Sequence, residues 1–105
     1  MKLQAKRGVV EMGVLARLAR GDAYQYQIVA CLLSGIDMGE ATVYPLLRRM
    51  RSEGMVSTYL VEYESGPPRK YYRIEPRGRD VLAQMQAEKR NLFSQIDSIV
   101  AGGAA

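Results

Sequence analysis

Apolar residues recur every three to four positions in four stretches of the chain, at residues 8–20, 23–33, 40–54 and 76–100. Because a helix turns once in 3.6 residues, this spacing gathers the apolar side chains on one face of each stretch. The residues predicted to be buried in the first three stretches are Val10, Val14, Leu15, Leu18, Ile28, Val29, Leu32, Leu33, Val43, Leu46, Leu47 and Met50. The pattern therefore predicts four amphipathic helices, three of which share a core.

The segment between the third and fourth helices has a different composition. Residues 55–64 and 69–75 are rich in valine, threonine, tyrosine and other residues that favour strands. Residues 65–68, Ser-Gly-Pro-Pro, cannot continue a strand ladder and therefore form a turn. Helices followed by a hairpin are the order of a winged helix-turn-helix. We predict a mainly α fold with a small β-hairpin, in which residues 1–75 form the winged helix-turn-helix and residues 76–105 a C-terminal dimerisation helix.

The third helix presents a face suited to contact with DNA. Opposite its apolar stripe and on its flanks lie small residues, a tyrosine and two arginines. Small residues permit close approach to the major groove, and arginine can pair with guanine edges. The candidate DNA-binding residues on this helix are Ala41, Thr42, Tyr44, Pro45, Arg48 and Arg49. Glu40 either reads a cytosine or caps the start of the helix. The alternative interpretation of the whole face is a solvated, charged surface on an ordinary core helix.

Pro45 limits where this helix can begin. Proline lacks a backbone donor and crowds the preceding turn, which costs about 3 kcal/mol in a helix interior but little in the first turn. We therefore expect the helix to begin between Glu40 and Thr42, with a distorted opening turn.

Residues outside the third helix are further candidates for DNA contact. Arg69 and Lys70 follow the predicted turn, with Ser65 at its start, where cations can reach phosphates or a minor groove. The alternative to DNA contact is a tight turn whose basic residues serve only the solubility of the protein. Tyr24, near the start of the second helix, either donates to a phosphate or covers the surface. Tyr26 is expected to pack in the core.

The last helix carries a heptad-like seam, in which apolar residues step by alternating three and four positions and one lysine interrupts them. The dimerisation residues predicted from this seam and its widened end are Leu82, Met85, Lys89, Leu92, Phe93, Ile96 and Ile99. A helix of about 25 residues spans about 37 Å, which is longer than a three-helix core. The surplus apolar face predicts a homodimer, and a helix that folds back on its own chain is the alternative.

The composition narrows the classes of function. A net charge of +4 favours a polyanionic partner. The chain has no histidine and one cysteine, so it lacks the commonest general base and cannot build a usual zinc site alone. We therefore expect no enzyme activity, no metal and no cofactor. The single Cys31, expected to be buried, indicates a reducing, cytoplasmic location, and no stretch is apolar enough to span a membrane.

Two sequence elements together resemble the PadR family of bacterial transcriptional regulators. The first is Ala-Thr-Val-Tyr-Pro-Leu-Leu-Arg-Arg-Met at residues 41–50, followed by Glu-Gly-Met-Val at residues 53–56. The second is Gly-Pro-Pro-Arg-Lys-Tyr-Tyr-Arg-Ile at residues 66–74, followed by Gly78. The resemblance covers about residues 8–80 and extends through the last helix.

This resemblance implies a winged helix-turn-helix, a homodimer joined through the C-terminal helix, and operator binding that is usually repressive. It also implies a possible small-molecule effector, often aromatic or lipophilic. The single helix after the hairpin is similar to the family's short subgroup. Two features depart from the family pattern: Gln25 stands where members commonly have glycine between two tyrosines, and Lys89 stands where drug-binding members have an aromatic residue. In a homodimer, the two symmetry-related Lys89 side chains would lie near the dimer axis. There they either favour an anionic ligand over a planar drug or simply reach solvent.

The sequence thus predicts a homodimeric, repressor-like protein that binds double-stranded DNA. Two-fold symmetry predicts a palindromic operator whose half-sites lie about one helical turn, roughly 10 bp, apart. A winged-helix protein-interaction module that does not read DNA is the alternative, because a fold alone does not set function.

Overall fold

The structure, a computed structural model, describes residues 3–102 and the side chains from residue 8 onward. It contains helices α1 (Leu3–Ala19), α2 (Gln25–Ile36), α3 (Glu40–Ser52) and α4 (Pro76–Val100), and strands β1 (Ala23–Tyr24), β2 (Val56–Val61) and β3 (Arg69–Ile74). Helices and a small antiparallel sheet are arranged as a winged helix, which confirms the predicted fold class. The outermost parts of the two predicted domains, residues 1–2 and 103–105, lie outside the described residues.

The apolar stripes of α1, α2 and α3 meet in one core. All of the residues predicted to be buried there are buried except Leu33, which is 51% exposed. The prediction for Leu33 is wrong because one residue turns the helix by about 100° from Leu32, away from the core. Cys31 is half-buried rather than fully buried. Residues added to the core by the sheet and by α4 are Ala23, Met55, Val56, Tyr72, Ile74 and Leu82.

The sheet has three strands, one more than the predicted hairpin. β3 lies between β1 and β2 and is antiparallel to both. Ala23 pairs with Tyr72, and Tyr24 pairs with Tyr71. The prediction that the second helix begins at Ala23 is therefore wrong, and α2 begins at Gln25. A two-residue strand has no periodicity of its own, so only its pairing with β3 identifies it.

Three further element boundaries differ by three or more residues from those predicted. The observed boundaries are Leu3 rather than Gly8 for the start of α1, Ile36 rather than Leu33 for the end of α2, and Val61 rather than Glu64 for the end of β2. At the end of α2, Asp37 adopts the left-handed conformation with a φ of 55°. Its N–H donates at 3.2 Å to a carbonyl one turn earlier, so Asp37 closes this helix.

α3 begins at Glu40, within the predicted range, and Gly39 is its N-cap residue. The Gly39 carbonyl accepts hydrogen bonds from the N–H groups of Thr42 and Val43, at 3.2 and 3.1 Å. A carbonyl shared in this way tightens the opening turn, in line with the expected distortion. Pro45 follows one turn inside the helix.

α4 begins at Pro76 and ends at Val100, as predicted. Its first turns pack against α1, whereas residues 86–102 are exposed throughout. The second half of the helix therefore projects from the domain. The Cα radius of gyration is 16.3 Å, whereas a compact domain of 100 residues has about 13 Å.

Candidate nucleic-acid interface

One face of α3 is buried and the other is open. Val43, Leu47 and Met50 fill the core. The exposed residues among the predicted contacts of this helix are Ala41, Thr42, Pro45 and Arg48. Three of these side chains are small, so a ligand can approach the helix backbone closely. The guanidinium of Arg48 forms no ion pair or side-chain hydrogen bond with any residue that the structure describes.

Tyr44 lies at the edge of this open face. Its ring is half-buried and packs against the core. Partial burial raises the pKa of its phenol above the ordinary value, and the nearby Glu40 and Tyr72 act in the same direction. The phenol hydroxyl at this position can donate a hydrogen bond to an acceptor on DNA.

Arg49 is held by carboxylates of its own chain. Its Nη2 donates at 2.8 Å to Oε2 of Glu11 on α1, whose side chain is only 10% exposed. Its Nε lies 3.8 Å from Oε1 of Glu53, beyond hydrogen-bond distance, and is buried without a partner among the described residues. The pair ties α3 to α1. This position argues against the predicted base contact, because an Arg49 that reached DNA would leave Glu11 almost buried and unpaired.

The two cations that follow the wing turn have different surroundings. Lys70 is exposed and has no ion pair within the described part of the chain. Arg69 is half-buried, and its Cζ lies 3.7 Å from the ring centroid of Tyr63 and 4.5 Å from that of Tyr24. Ser65 is exposed at the tip of the turn. The sequence did not distinguish Arg69 from Lys70, whereas the structure surrounds only Arg69 with aromatic rings.

The outer face of the sheet carries a row of tyrosines that the sequence analysis missed. Tyr24, Tyr71 and Tyr59 pair directly across the three strands, with ring centroids 5.5 and 5.7 Å apart. The Tyr59 hydroxyl donates at 2.6 Å to Oδ2 of Asp22, and this hydrogen bond raises the pKa of the phenol. Arg73 lies over the Tyr59 ring and 3.3 Å from Asp22. Alternation along β2 and β3 could have suggested two of these tyrosines, but Tyr24 joins them only through the unpredicted β1.

Tyr24 and Tyr26 flank the start of α2. Tyr24 is half-buried, and its backbone N–H donates at 3.1 Å to Oε1 of Gln27. Tyr26 is 68% exposed and stacks on Tyr24 with ring centroids 6.3 Å apart. The prediction that Tyr26 packs in the core is wrong, because it precedes the buried Ile28 by two residues and so lies on the opposite side of the helix.

The predicted dimerisation seam of α4 divides into two parts. Leu82 is 8% exposed and Met85 is half-buried, so both pack on the core of their own chain. Lys89 is exposed at the boundary between the two parts. The exposed apolar residues beyond it are Leu92, Phe93, Ile96, Ile99 and Val100. The first part completes the fold of one chain, and the second part leaves an apolar surface without a partner among the described residues.

Comparison with known proteins identifies the family. The model of the transcriptional regulator PadR-like family matches residues 14–84, which is more than half of the chain. The chain belongs to this family. Its PadR motifs lie in two of the elements described above, because residues 41–50 are in α3 and residues 69–74 form β3.

Solved structures of PadR-like proteins have the same fold. A PadR family transcriptional regulator from Eggerthella lenta is 35% identical, with a TM-score of 0.79 over 93% of this chain and 87% of that one. A PadR-like transcription factor from Bacteroides fragilis is 31% identical, with a TM-score of 0.81 over 91% and 94%. A Streptococcus transcriptional regulator is 25% identical, with a TM-score of 0.83 over 93% and 98%.

The protein is therefore a PadR-like transcriptional regulator with a winged helix fold. These relatives are transcriptional regulators rather than enzymes. Among the residues that the structure describes, no group of side chains is placed to hold a metal ion. Within the same part of the chain, no helix is long and apolar enough to cross a membrane.

Proposed function

We propose that this PadR-like protein is a homodimeric repressor that binds a palindromic operator, with α3 of each protomer in a major groove. The observation that carries the proposal is the open face of α3, where small side chains surround an Arg48 guanidinium without an internal partner in the described chain. The major groove, about 12 Å wide, admits a helix of this kind. The net charge of +4 favours a polyanionic partner.

The candidate DNA-binding residues have different proposed roles. Arg48 reads a base edge, and the small side chains beside it set the distance of closest approach. Lys70 contacts a phosphate from the wing, and the tyrosine hydroxyls donate to the backbone. The residues proposed to face the duplex are Tyr24, Ala41, Thr42, Tyr44, Pro45, Arg48 and Lys70. Arg49 orients α3 against α1 through Glu11.

The proposed dimer forms through the second half of α4. Its exposed apolar residues follow a spacing of three and four, which suits a helix–helix contact with a second copy. The residues proposed to bury each other across the two-fold axis are Leu92, Phe93, Ile96 and Ile99. The two-fold axis repeats α3 on the operator, which gives half-sites about one turn, roughly 10 bp, apart.

An effector that releases the operator is the third part of the proposal. Its support is the resemblance to the family's short subgroup and the position of Lys89 at the boundary of the apolar surface. Two Lys89 side chains near a dimer axis would favour an anionic effector over a planar neutral drug.

The test is a titration of fluorescent duplexes selected from a random pool by the protein itself. Wild-type protein should enrich a palindrome and bind it more tightly than scrambled DNA, with a strong dependence on salt. Arg48→Ala should lower the affinity for the selected site by about 1–3 kcal/mol per half-site and relax specificity at one position of each half-site.

Arg20→Ala is the matched control, because it removes one exposed arginine outside α3. It should leave the preference for the palindrome unchanged. Equal losses on palindromic and scrambled DNA for Arg48→Ala would contradict its role as a base contact. If the wild type bound no duplex in a salt-dependent manner, a winged-helix protein-interaction module would be the better description.

A further inference from the structure

We infer that Arg69 is a positioning residue, which fixes the wing through a stack between Tyr24 and Tyr63, and that Lys70 alone supplies the phosphate contact at this point of the wing. The inference rests on the proposed DNA binding and deepens it. It reverses the simplest interpretation of two adjacent basic residues, in which both bind the DNA backbone.

The geometry around Arg69 is that of a guanidinium held between two aromatic rings. Its Cζ lies 3.7 Å from the Tyr63 centroid and 4.5 Å from the Tyr24 centroid. Both distances are within the roughly 6 Å over which a cation is attracted to a ring face. The planar guanidinium is suited to such stacking, which a lysine ammonium cannot reproduce. No described carboxylate forms an ion pair with Arg69, so the rings are its main partners.

The two rings come from opposite edges of the sheet. Tyr24 belongs to β1, and Tyr63 follows β2 at the base of the wing turn, while Arg69 begins the central strand β3. The stack therefore joins the turn, across β3, to the residue that precedes α2. A turn held in this way keeps a fixed position relative to the helical part of the domain.

The turn itself is folded against the Tyr63 ring. The Gly66 N–H donates at 3.3 Å to the Tyr63 carbonyl. A Cβ placed on Gly66 would lie 3.6 Å from the Tyr63 ring, which shows that the chain returns beside the same side chain. The tip of the wing and the Arg69 stack are thus one packed unit.

Arg69 and Lys70 face opposite ways because successive residues of a strand alternate. Arg69 lies on the outer face with the tyrosines, whereas Lys70 is exposed and free of ion pairs among the described residues. Stacking on both rings restricts the directions in which the Arg69 guanidinium can donate to a phosphate. Lys70 has no such contact to lose.

The experiment compares Arg69→Gln with Lys70→Gln, two substitutions that each remove one charge from neighbouring positions. The affinity of each full-length variant for the selected duplex is measured from low to moderate salt. Lys70→Gln should reduce the slope of log affinity against log salt by about 1.8, because a homodimer loses one phosphate contact in each protomer and each contact contributes about 0.9. Arg69→Gln should weaken binding about fivefold at every salt concentration while changing that slope by less than half as much.

The free protein provides a second measurement that does not depend on DNA. The Arg69 side-chain protons should show upfield ring-current shifts in NMR spectra of the wild type. Tyr63→Phe keeps a ring and should keep both the shifts and the affinity, whereas Tyr63→Leu should lose the shifts and weaken binding about as much as Arg69→Gln. Tyr63 is 41% exposed, so neither substitution disturbs the core.

The outcomes separate this inference from the proposed function. Equal losses of slope for Arg69→Gln and Lys70→Gln, or Arg69 protons without ring-current shifts, would overturn the inference while DNA binding stands. A wild type that shows the shifts but binds no duplex would overturn the proposed function, and with it the role of the stack in DNA binding. Ring-current shifts together with unequal slopes would support both.

Discussion

Three arginines at the candidate interface have the same charge and three different environments. Arg48 is exposed and has no internal partner in the described chain, Arg49 binds Glu11, and Arg69 lies between aromatic rings. An exposed guanidinium loses only water when it binds a base, whereas a paired one must first leave its partner. At the scale of the residue, the environment therefore decides which arginine can read a sequence.

The Arg49 contacts give a prediction about stability. Glu11→Gln should lower the free energy of unfolding by about 1 kcal/mol, because the partly exposed guanidinium loses its ion pair and keeps at most a hydrogen bond to a neutral amide oxygen. Glu53→Gln is the matched control: it removes the other carboxylate near Arg49, 3.8 Å away, and should change stability by less than about 0.5 kcal/mol. Urea denaturation measures both values. A larger loss from Glu53→Gln than from Glu11→Gln would show that the contact with α1 does not hold α3.

The elements of the domain meet at Met55. Its N–H donates at 3.0 Å to the Met50 carbonyl at the end of α3, and its own carbonyl accepts the Glu75 N–H at 2.9 Å. Gly78, buried in the first turns of α4, lies directly against this carbonyl. One residue thus links α3, the sheet and the start of α4, and the close approach of α4 depends on a glycine.

This junction predicts the effect of adding one methyl group. A Cβ at Gly78 would lie 2.2 Å from the Met55 carbonyl oxygen, so Gly78→Ala forces the backbones apart. Because the obstructing atom is a backbone oxygen, we expect overpacking to cost about 2–3 kcal/mol, which exceeds the gain of about 1 kcal/mol in helix propensity. Gly8→Ala in α1 is the control, since outside the backbone of its own helix no atom of the described residues lies within 4 Å of its Cβ position, and it should be neutral or stabilising. Thermal unfolding monitored by circular dichroism gives the melting temperature of each variant. Equal melting temperatures for both variants would contradict the steric argument.

The whole molecule is elongated, with extents of 62 × 27 × 21 Å, because α4 extends beyond the rest of the domain. Its second half exposes apolar side chains, and Ile96 lies near the centre of this surface at 42% exposure. In an isolated chain this apolar surface stays in contact with water, whereas a second copy would bury it. The proposed dimer therefore uses a surface that the fold of one chain does not need.

A charge on this surface should separate association from folding. Wild-type protein should sediment as a dimer at about 10 μM, and Ile96→Glu should sediment as a monomer, because burying an unpaired carboxylate costs several kcal/mol. Its helical content should be retained, since Ile96 contacts no part of its own core. Ser94→Glu, on the opposite side of α4, is the control and should remain dimeric. A monomeric wild type would refute the dimer and remove the reason for a palindromic operator.

By itself, the sequence determined the parts of the protein that depend on local periodicity. Apolar spacing located the buried faces of α1, α2 and α3, and Pro76 marked the start of α4. The PadR motifs identified the family before any contact was known. These features follow from the order of residues, because helical faces and turn residues repeat at fixed intervals.

Only the tertiary structure decided which side chains have partners. The short strand β1, the pairing of Arg49 with Glu11 and the contact of Arg69 with Tyr24 all join residues distant in sequence. No periodicity encodes such contacts, since they depend on how the elements pack against one another. The sequence thus specified which cations lie on α3 and on the wing, and packing determined which of them have no partner among the described residues.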